Sequence, residues 1–200
     1  MANDARNLDF VLSRRSATKL DAPGPTREQL EQVLLAAGAV PDHGLLRPFR
    51  FVIAEGEGRA RFGDALAASA AERRPETPPA LLAKVRDKAF RSPTVVVLIA
   101  SPKPGKIETW EQNATAACAG YAIVLAAHAL GIGAVWKSVP FTKGKALSET
   151  LGLGETEEML GWIHLGTATR EGELPPRAPI VLTEIASVLE GAGRRPYGPI

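Results

Sequence analysis

A single α+β domain, with helices on both sides of a mixed sheet, is predicted by three observations on this 200-residue chain. The run 94–100 (Thr-Val-Val-Val-Leu-Ile-Ala) is β-branched and continuously apolar, the pattern of a central strand buried on both faces. The run 111–130 is rich in Ala, too long for a strand, and is cut by Gly131-Ile132-Gly133 before a second strand pattern begins. A 45% hydrophobic content without repeats or low-complexity tracts supplies one full core, so 1–200 reads as one domain.

Each element follows in order. A short helix over 7–15 places Leu8, Val11 and Leu12 on one face. Thr26 opens a second helix, with Glu28 in its first turn and Leu30, Val33, Leu34 and Ala37 inward, and Pro41 closes it. A strand over 50–54 precedes an amphipathic helix over 59–73, a rigid Pro-rich loop at 75–79 and a helix over 81–88. After the central strand, 101–106 is a Pro/Gly/Lys loop. In the 111–130 helix, Ala114, Cys118, Ala122 and Ala126 recur at helical spacing and let another helix approach closely, in a tight core or at a subunit interface. Strands over 134–139 and 160–167 complete the sheet. Pro175 to Pro179 breaks the pattern, the apolar run Ile180-Val181-Leu182 follows, and a Gly/Arg/Pro-rich end starts at Gly191.

The bulk properties exclude several classes of function. Twenty-four basic against 22 acidic residues leave a net charge of +2, and the two signs are interspersed, so no broad nucleic-acid face is expected and any anion site is local. One cysteine, Cys118, permits no internal disulfide, and its small-residue surroundings suit a buried apolar role. Residues 1–15 mix acidic and basic side chains without an apolar core segment, so no secretory signal is expected and a reducing cytoplasm fits best. The stretch 114–136 lacks Asp, Glu, Lys and Arg and is long enough to span a bilayer. His128 and the Gly131-x-Gly133 break within it argue instead for a buried helix, a turn and a strand.

Protein side chains offer little chemistry of their own. No G-x-G-x-x-G joins a strand to a helix, no Walker A loop occurs, and His43, His128 and His164 show no metal-ligand spacing. His128 and His164 lie in apolar elements, as satisfied core or partly buried histidines do. No G-x-S-x-G is present and Cys118 has no basic neighbour in sequence. Hard chemistry on such a chain falls to an external cofactor that the protein binds and orients. Arg14-Arg15-Ser16 suits a phosphate, because guanidinium forks grip its oxygens bidentately and the hydroxyl adds a donor. By itself the pair reads as solvated surface, and Trp136 by itself reads as core.

Four motifs in order change that reading. Arg-Arg-Ser at 14–16, Pro41-Asp42-His43 with Pro48-Phe49, Trp110-Glu111-Gln112 opening the small-residue helix, and Gly131-x-Gly133-x-x-Trp136-Lys137-Ser138 together resemble the nitroreductase family, especially its compact YdjA-like members. The resemblance runs from about residue 8 to 183.

It implies a nitroreductase-like sheet flanked by helices and a homodimer with FMN at the interface. It implies an enzyme that takes hydride from NADH or NADPH and reduces nitroaromatics, quinones or similar small molecules by a ping-pong mechanism. Neither nucleic acid nor membrane is implied as a partner, and no metal is. By the same resemblance Arg14, Arg15 and Ser16 hold the phosphate, ribityl chain and pyrimidine edge of FMN, Trp136, Lys137 and Ser138 form another contacting segment, and His43 comes from across the interface. No protein residue is assigned a catalytic proton, since the flavin carries the chemistry. The chain departs from the family pattern at Leu45, Arg47 and Phe49, in the loop that approaches the flavin ring, and at Ala39. Its C-terminal tail, 184–200, is longer than in compact members and wraps the partner or stays mobile. A non-catalytic flavin-binding or flavin-delivery dimer is the alternative reading.

Overall fold

Helix α1 (Ala5–Ser13) is the first element of the computed structural model, which describes residues 5–169, 177–191 and 193–198. It ends at Ser13, so Arg14-Arg15-Ser16 lies just beyond it, outside any regular element. Phe10 turns toward the body of the chain, stacking on His128 with ring centroids 5.1 Å apart. Leu8, Val11 and Leu12 are exposed. Strand β1 (Leu20–Asp21) follows, and helix α2 (Arg27–Leu35) starts at a reciprocal cap in which the Gln29 N–H donates to Thr26 Oγ1 and the Thr26 N–H to Gln29 Oε1. A 3-10 turn at Ala36–Ala39 continues it and buries Ala37.

Strand β2 (Phe49–Ala54), helix α3 (Glu57–Arg73) and helix α4 (Pro79–Arg86) come next. Pro79 stands at the first turn of α4, where its missing N–H costs nothing. Strand β3 (Thr94–Ala100), helix α5 (Thr109–Ala129), strand β4 (Gly133–Lys137), helix α6 (Lys145–Leu151) and strand β5 (Glu158–Ala168) complete the first unit, which lies within Met1–Arg170. The charge-free run 114–136 therefore resolves into most of α5, a turn and β4, and among the described residues no helix is long and apolar enough to cross a membrane. The second unit lies within Glu171–Ile200. There a short helix, α7 (Leu182–Ile185), precedes an antiparallel hairpin of β6 (Ser187–Glu190) and β7 (Gly193–Pro196). The prolines at 175 and 176 of the expected breaker lie outside the described residues.

In the sheet β3 stands between β2 and β5, β4 pairs with β5, and β1 pairs with the end of β5 at Leu20↔Ala168. Among the described residues every pairing is antiparallel, so the expected helix-flanked sheet is present while the strand directions seen within one chain do not mix. A bulge between Leu98 and Ile99 shifts the β3/β5 register from Leu98↔Gly161 to Ile99↔Met159.

Alternation along β3 divides the core. Val95, Val97 and Ile99 pack with Phe62 and Leu66 of α3 and Leu147 of α6, whereas Val96 packs with Ala119 and Ile123 of α5 and Val33 of α2. All seven residues of β3 are buried, which is why its sequence is apolar throughout. Helix α6 takes its N-terminal partners from α3: Glu72 accepts from the Lys145 and Ala146 N–H groups and Ser69 from that of Leu147.

Candidate functional site

The segment after α1 is joined to β4 by its backbone. The Ala17 N–H donates to the Ala134 carbonyl at 2.9 Å, so Arg14-Arg15-Ser16 runs up to the strand that carries Trp136 and Lys137. Arg14 and Arg15 are half-buried and Ser16 is exposed. The Gly131-x-Gly133 motif shapes the approach. Gly131, at φ 70, lies past the end of α5, where a left-handed residue lets its N–H reach the His128 carbonyl at 3.1 Å. A Cβ at Gly133 would meet Leu20 Cδ2 at 2.5 Å.

Trp136 is seated by two further glycines. A Cβ at Gly120 in α5 would lie 2.7 Å from Trp136 Cζ3, and one at Gly161 in β5 would lie 2.6 Å from its Nε1. The indole is therefore held against both the helix and the bulged strand, and remains half-buried. Lys137 and Ser138, at and just past the end of β4, are exposed.

His43 belongs to a different place. It opens a 3-10 turn, His43–Leu45, in a loop where Gly44, Leu45 and Arg47 have φ of 77, 53 and 47. Left-handed conformations at Leu and Arg are strained and persist only when their surroundings hold them. Here the Arg47 N–H donates to Asp42 Oδ2 at 2.7 Å, the Leu45 N–H to the Asp42 carbonyl at 3.1 Å, and Thr115 Oγ1 of α5 to the Pro41 carbonyl at 3.2 Å. His43 Nδ1 lies 2.6 Å from Glu111 Oε1, in the first turn of α5. Leu45 stands 84% exposed. Gln112, buried, accepts from the Lys103 N–H and donates to the carbonyls of Lys103 and Ile107, fixing the adjoining 101–107 loop.

The two groups of expected residues thus sit at opposite poles of α5. Glu111, bonded to His43, is at its start, and His128, stacked on Phe10 and 3.1 Å from Ser13 Oγ, is near its end. At 1.5 Å per residue these poles are about 25 Å apart. One chain brings Arg14-Arg15-Ser16 to β4, but leaves His43 far from the triplet.

Between the poles, α5 presents Trp110, Ala114, Ala117, Cys118 and Tyr121 outward. Cys118 is exposed, contrary to the buried role that its sequence suggested, because it falls on this outer face while Ala116, Ala119 and Gly120 face the sheet.

Two polar clusters lie in the scaffold. His164 is 1% exposed; its Nε2 accepts from Trp162 Nε1–H at 2.7 Å, and its Nδ1–H donates to Ser92 Oγ at 2.8 Å, which in turn donates to the Thr94 carbonyl. Burial, with Arg91 and Lys137 as neighbouring positive charges, pushes its pKa down to about 4, so it stays neutral and satisfied, as a core histidine should. Arg50 forks onto Glu157, Nε to Oε1 at 2.8 Å and Nη2 to Oε2 at 2.6 Å. That guanidinium holds the Glu157 carboxyl down at about 2, against the opposing effect of burial. The Arg50 fork ties β2 to the turn before β5.

The sequence assigned no role to Glu111, Gln112, Gly120 or Gly161. The Trp-Glu-Gln motif was visible, but its partners lie far off in the chain, and only the structure shows them.

Comparison with known proteins agrees with this architecture. The model of the Nitroreductase family matches residues 11–167. The chain is 35% identical over 161 residues to an Escherichia coli (strain K12) protein named "Putative NAD(P)H nitroreductase YdjA", covering 80% of this chain and 87% of that one. Its fold is similar to that of a nitroreductase-like family protein from Bacillus cereus, with a TM-score of 0.76 at 24% identity over 92% and 96% of the two chains. It is similar also to that of a Bacteroides fragilis nitroreductase with bound FMN, with a TM-score of 0.66 at 20% identity over 92% and 98%. The chain belongs to the nitroreductase family.

Proposed function

We propose that this chain is one subunit of a homodimeric, FMN-dependent oxidoreductase that takes hydride from NADH or NADPH and passes it to a nitroaromatic, quinone or similar small molecule by a ping-pong mechanism. The observation that carries this reading is the Ala17–Ala134 hydrogen bond, which sets Arg14-Arg15-Ser16 against the strand bearing Trp136 and Lys137. The donor set fits FMN. A phosphate near −2 suits the Arg14 guanidinium and the Ser16 hydroxyl, and the Arg15 guanidinium, the Lys137 ammonium and the Ser138 hydroxyl supply further donors for the rest of the cofactor. The names of the relatives point the same way: one is an NAD(P)H nitroreductase by name, and one neighbour in fold contains FMN.

In this reading Arg14 and Ser16 hold the phosphate, and Arg15 faces the pyrimidine edge, where a positive charge favours the reduced, anionic ring. Trp136, fixed by Gly120 and Gly161, and Lys137-Ser138 border the cofactor. The bound flavin supplies the two-electron chemistry, and the protein binds and orients. His43 of the partner subunit completes the site. A two-fold axis crossing α5 pairs the two copies of the helix antiparallel, which sets the His43 pole of one subunit beside the Arg14 pole of the other. The exposed Trp110-Ala114-Ala117-Cys118-Tyr121 face, narrow enough for close approach, is the surface to be covered. A reducing cytoplasm supplies the nicotinamide donor.

The visible absorption spectrum tests this. Purified protein loaded with FMN should bleach anaerobically with NADPH or NADH and recolour on addition of a nitroaromatic or quinone. A yellow protein that neither donor bleaches is a flavin binder without turnover, and a protein that takes up no FMN overturns the reading.

A further inference from the structure

We propose that Glu111 is a positioning residue of this site, holding the His43 ring in one tautomer and one orientation so that Nε2 is presented to the FMN held chiefly by the partner subunit. The inference rests on the function proposed above and deepens it. The Trp110-Glu111-Gln112 segment has three distinct fates in the structure: Gln112 is spent on the 101–107 loop, Trp110 stands 70% exposed on the outer face, and Glu111 reaches His43.

A carboxylate oxygen can only accept, so at 2.6 Å it places the ring proton on Nδ1 and leaves Nε2 to face outward. The same pattern orients histidines beside metals and in hydrolytic triads, where a carboxylate on one nitrogen decides what the other can do. The His43 side chain is 65% exposed, so the second nitrogen is not sealed within its own subunit. Its backbone is fixed as well. The loop carries left-handed Leu45 and Arg47, and Asp42 and Thr115 hold it in place. A strained turn pinned at both its backbone and its one imidazole, at the pole of α5 that a dimer turns toward the other subunit's Arg14-Arg15-Ser16, is built to present that imidazole.

The test is titration of the dimeric apoprotein with FMN, followed by flavin fluorescence, for His43→Ala, Glu111→Ala, Glu111→Gln and the His43→Ala/Glu111→Ala double variant. His43→Ala should weaken FMN binding about tenfold, the size of one lost hydrogen bond to the cofactor. Glu111→Ala should reproduce most of that loss, and the double variant should be no weaker than His43→Ala alone. Glu111→Gln keeps an acceptor oxygen for the Nδ1–H and should stay within about twofold of the parent. Nitrogen NMR of the apoprotein gives a second readout: the proton of neutral His43 should reside on Nδ1 in the parent and shift toward Nε2 in Glu111→Ala. Loss of affinity in His43→Ala but not in Glu111→Ala, or a parent His43 protonated on Nε2 alone, overturns the role of Glu111 and leaves the FMN reading standing. Unchanged affinity in His43→Ala removes His43 from the FMN site and this proposal with it.

Discussion

The two faces of α5 both carry small side chains at helical spacing and end in opposite situations. Inward, Ala116, Ala119, Gly120, Ile123 and Ala127 are buried against the sheet, with Gly120 so close to Leu98 and Trp136 that a methyl group there would collide with both. Outward, Ala114, Ala117, Cys118 and Tyr121 meet solvent within the chain, and Trp110 joins them at one end. Small residues at helical spacing permit close packing on either side, and within one chain only the inner side is used. The difference teaches that the fold is complete on the sheet side, while the outer face of α5, between the poles of the proposed site, is left for a second copy to cover in the dimer proposed above.

Substitutions that separate the two faces should do so by different observables. Ile123→Ala, on the inner face, should lower unfolding free energy by roughly 4 kcal/mol in a denaturant titration, through lost burial and the cavity left behind. A loss below about 1 kcal/mol would mean that the inner face is loosely packed. Acid should probe the sealed interior next. Folded His164 takes its proton only near pH 4, whereas in the unfolded chain it does so near 6.5. The unfolded state therefore binds more protons between those values, and stability should fall by about 3 kcal/mol as pH drops through that window. Glu157, depressed to about 2, should extend the decline below pH 4.5. His164→Gln should flatten the upper window, and an unchanged slope in that variant would assign the decline elsewhere.

At the proposed cofactor pole, Arg14→Ala should raise the FMN dissociation constant about 30-fold, the cost of roughly 2 kcal/mol for a charge-assisted contact, with the apoprotein melting temperature unmoved. An unaltered constant would return the triplet to ordinary surface. Smallest is Tyr121→Ala on the outer face, which should weaken the monomer–dimer equilibrium by about 1 kcal/mol, or some fivefold in sedimentation, without changing the far-ultraviolet circular dichroism. A variant that melts earlier and still dimerises as the parent does would place Tyr121 in the core of its own subunit.

Much of the scaffold was legible because local pattern and tertiary fate agree there. The 94–100 run is apolar at every position and is buried at every position. The Thr26 cap and the Gly131-x-Gly133 break lie where the chain turns. The elements not foreseen are those whose reasons lie elsewhere in the chain. Helix α6 has only Leu147 and Leu151 buried and is capped by Glu72 and Ser69 from α3, so no nearby residue announces it. β1 is two residues long and exists through its pairing with β5.

The apolar face of α1 and the outer face of α5, the latter expected in a tight core or at a subunit interface, are exposed within one chain, because periodicity marks a face that needs covering and not what covers it. The site shows the same division. Arg14-Arg15-Ser16 and Trp136-Lys137-Ser138 were visible as motifs, while the Ala17–Ala134 bond that brings them together and the Glu111 carboxylate on His43 depend on folded distances.

A mixed dimer tests the central claim most directly, that each FMN site is built from two chains. One subunit would carry Arg14→Ala and the other His43→Ala, separated by affinity tags and titrated with FMN. If the site is shared, one of the two sites in the mixed dimer collects both defects and the other has neither, so one FMN per dimer should bind with the affinity of the parent protein. Two weakened sites, each with the loss of one of the two single variants and none at parental affinity, would contradict the account and place the whole of each site within a single subunit.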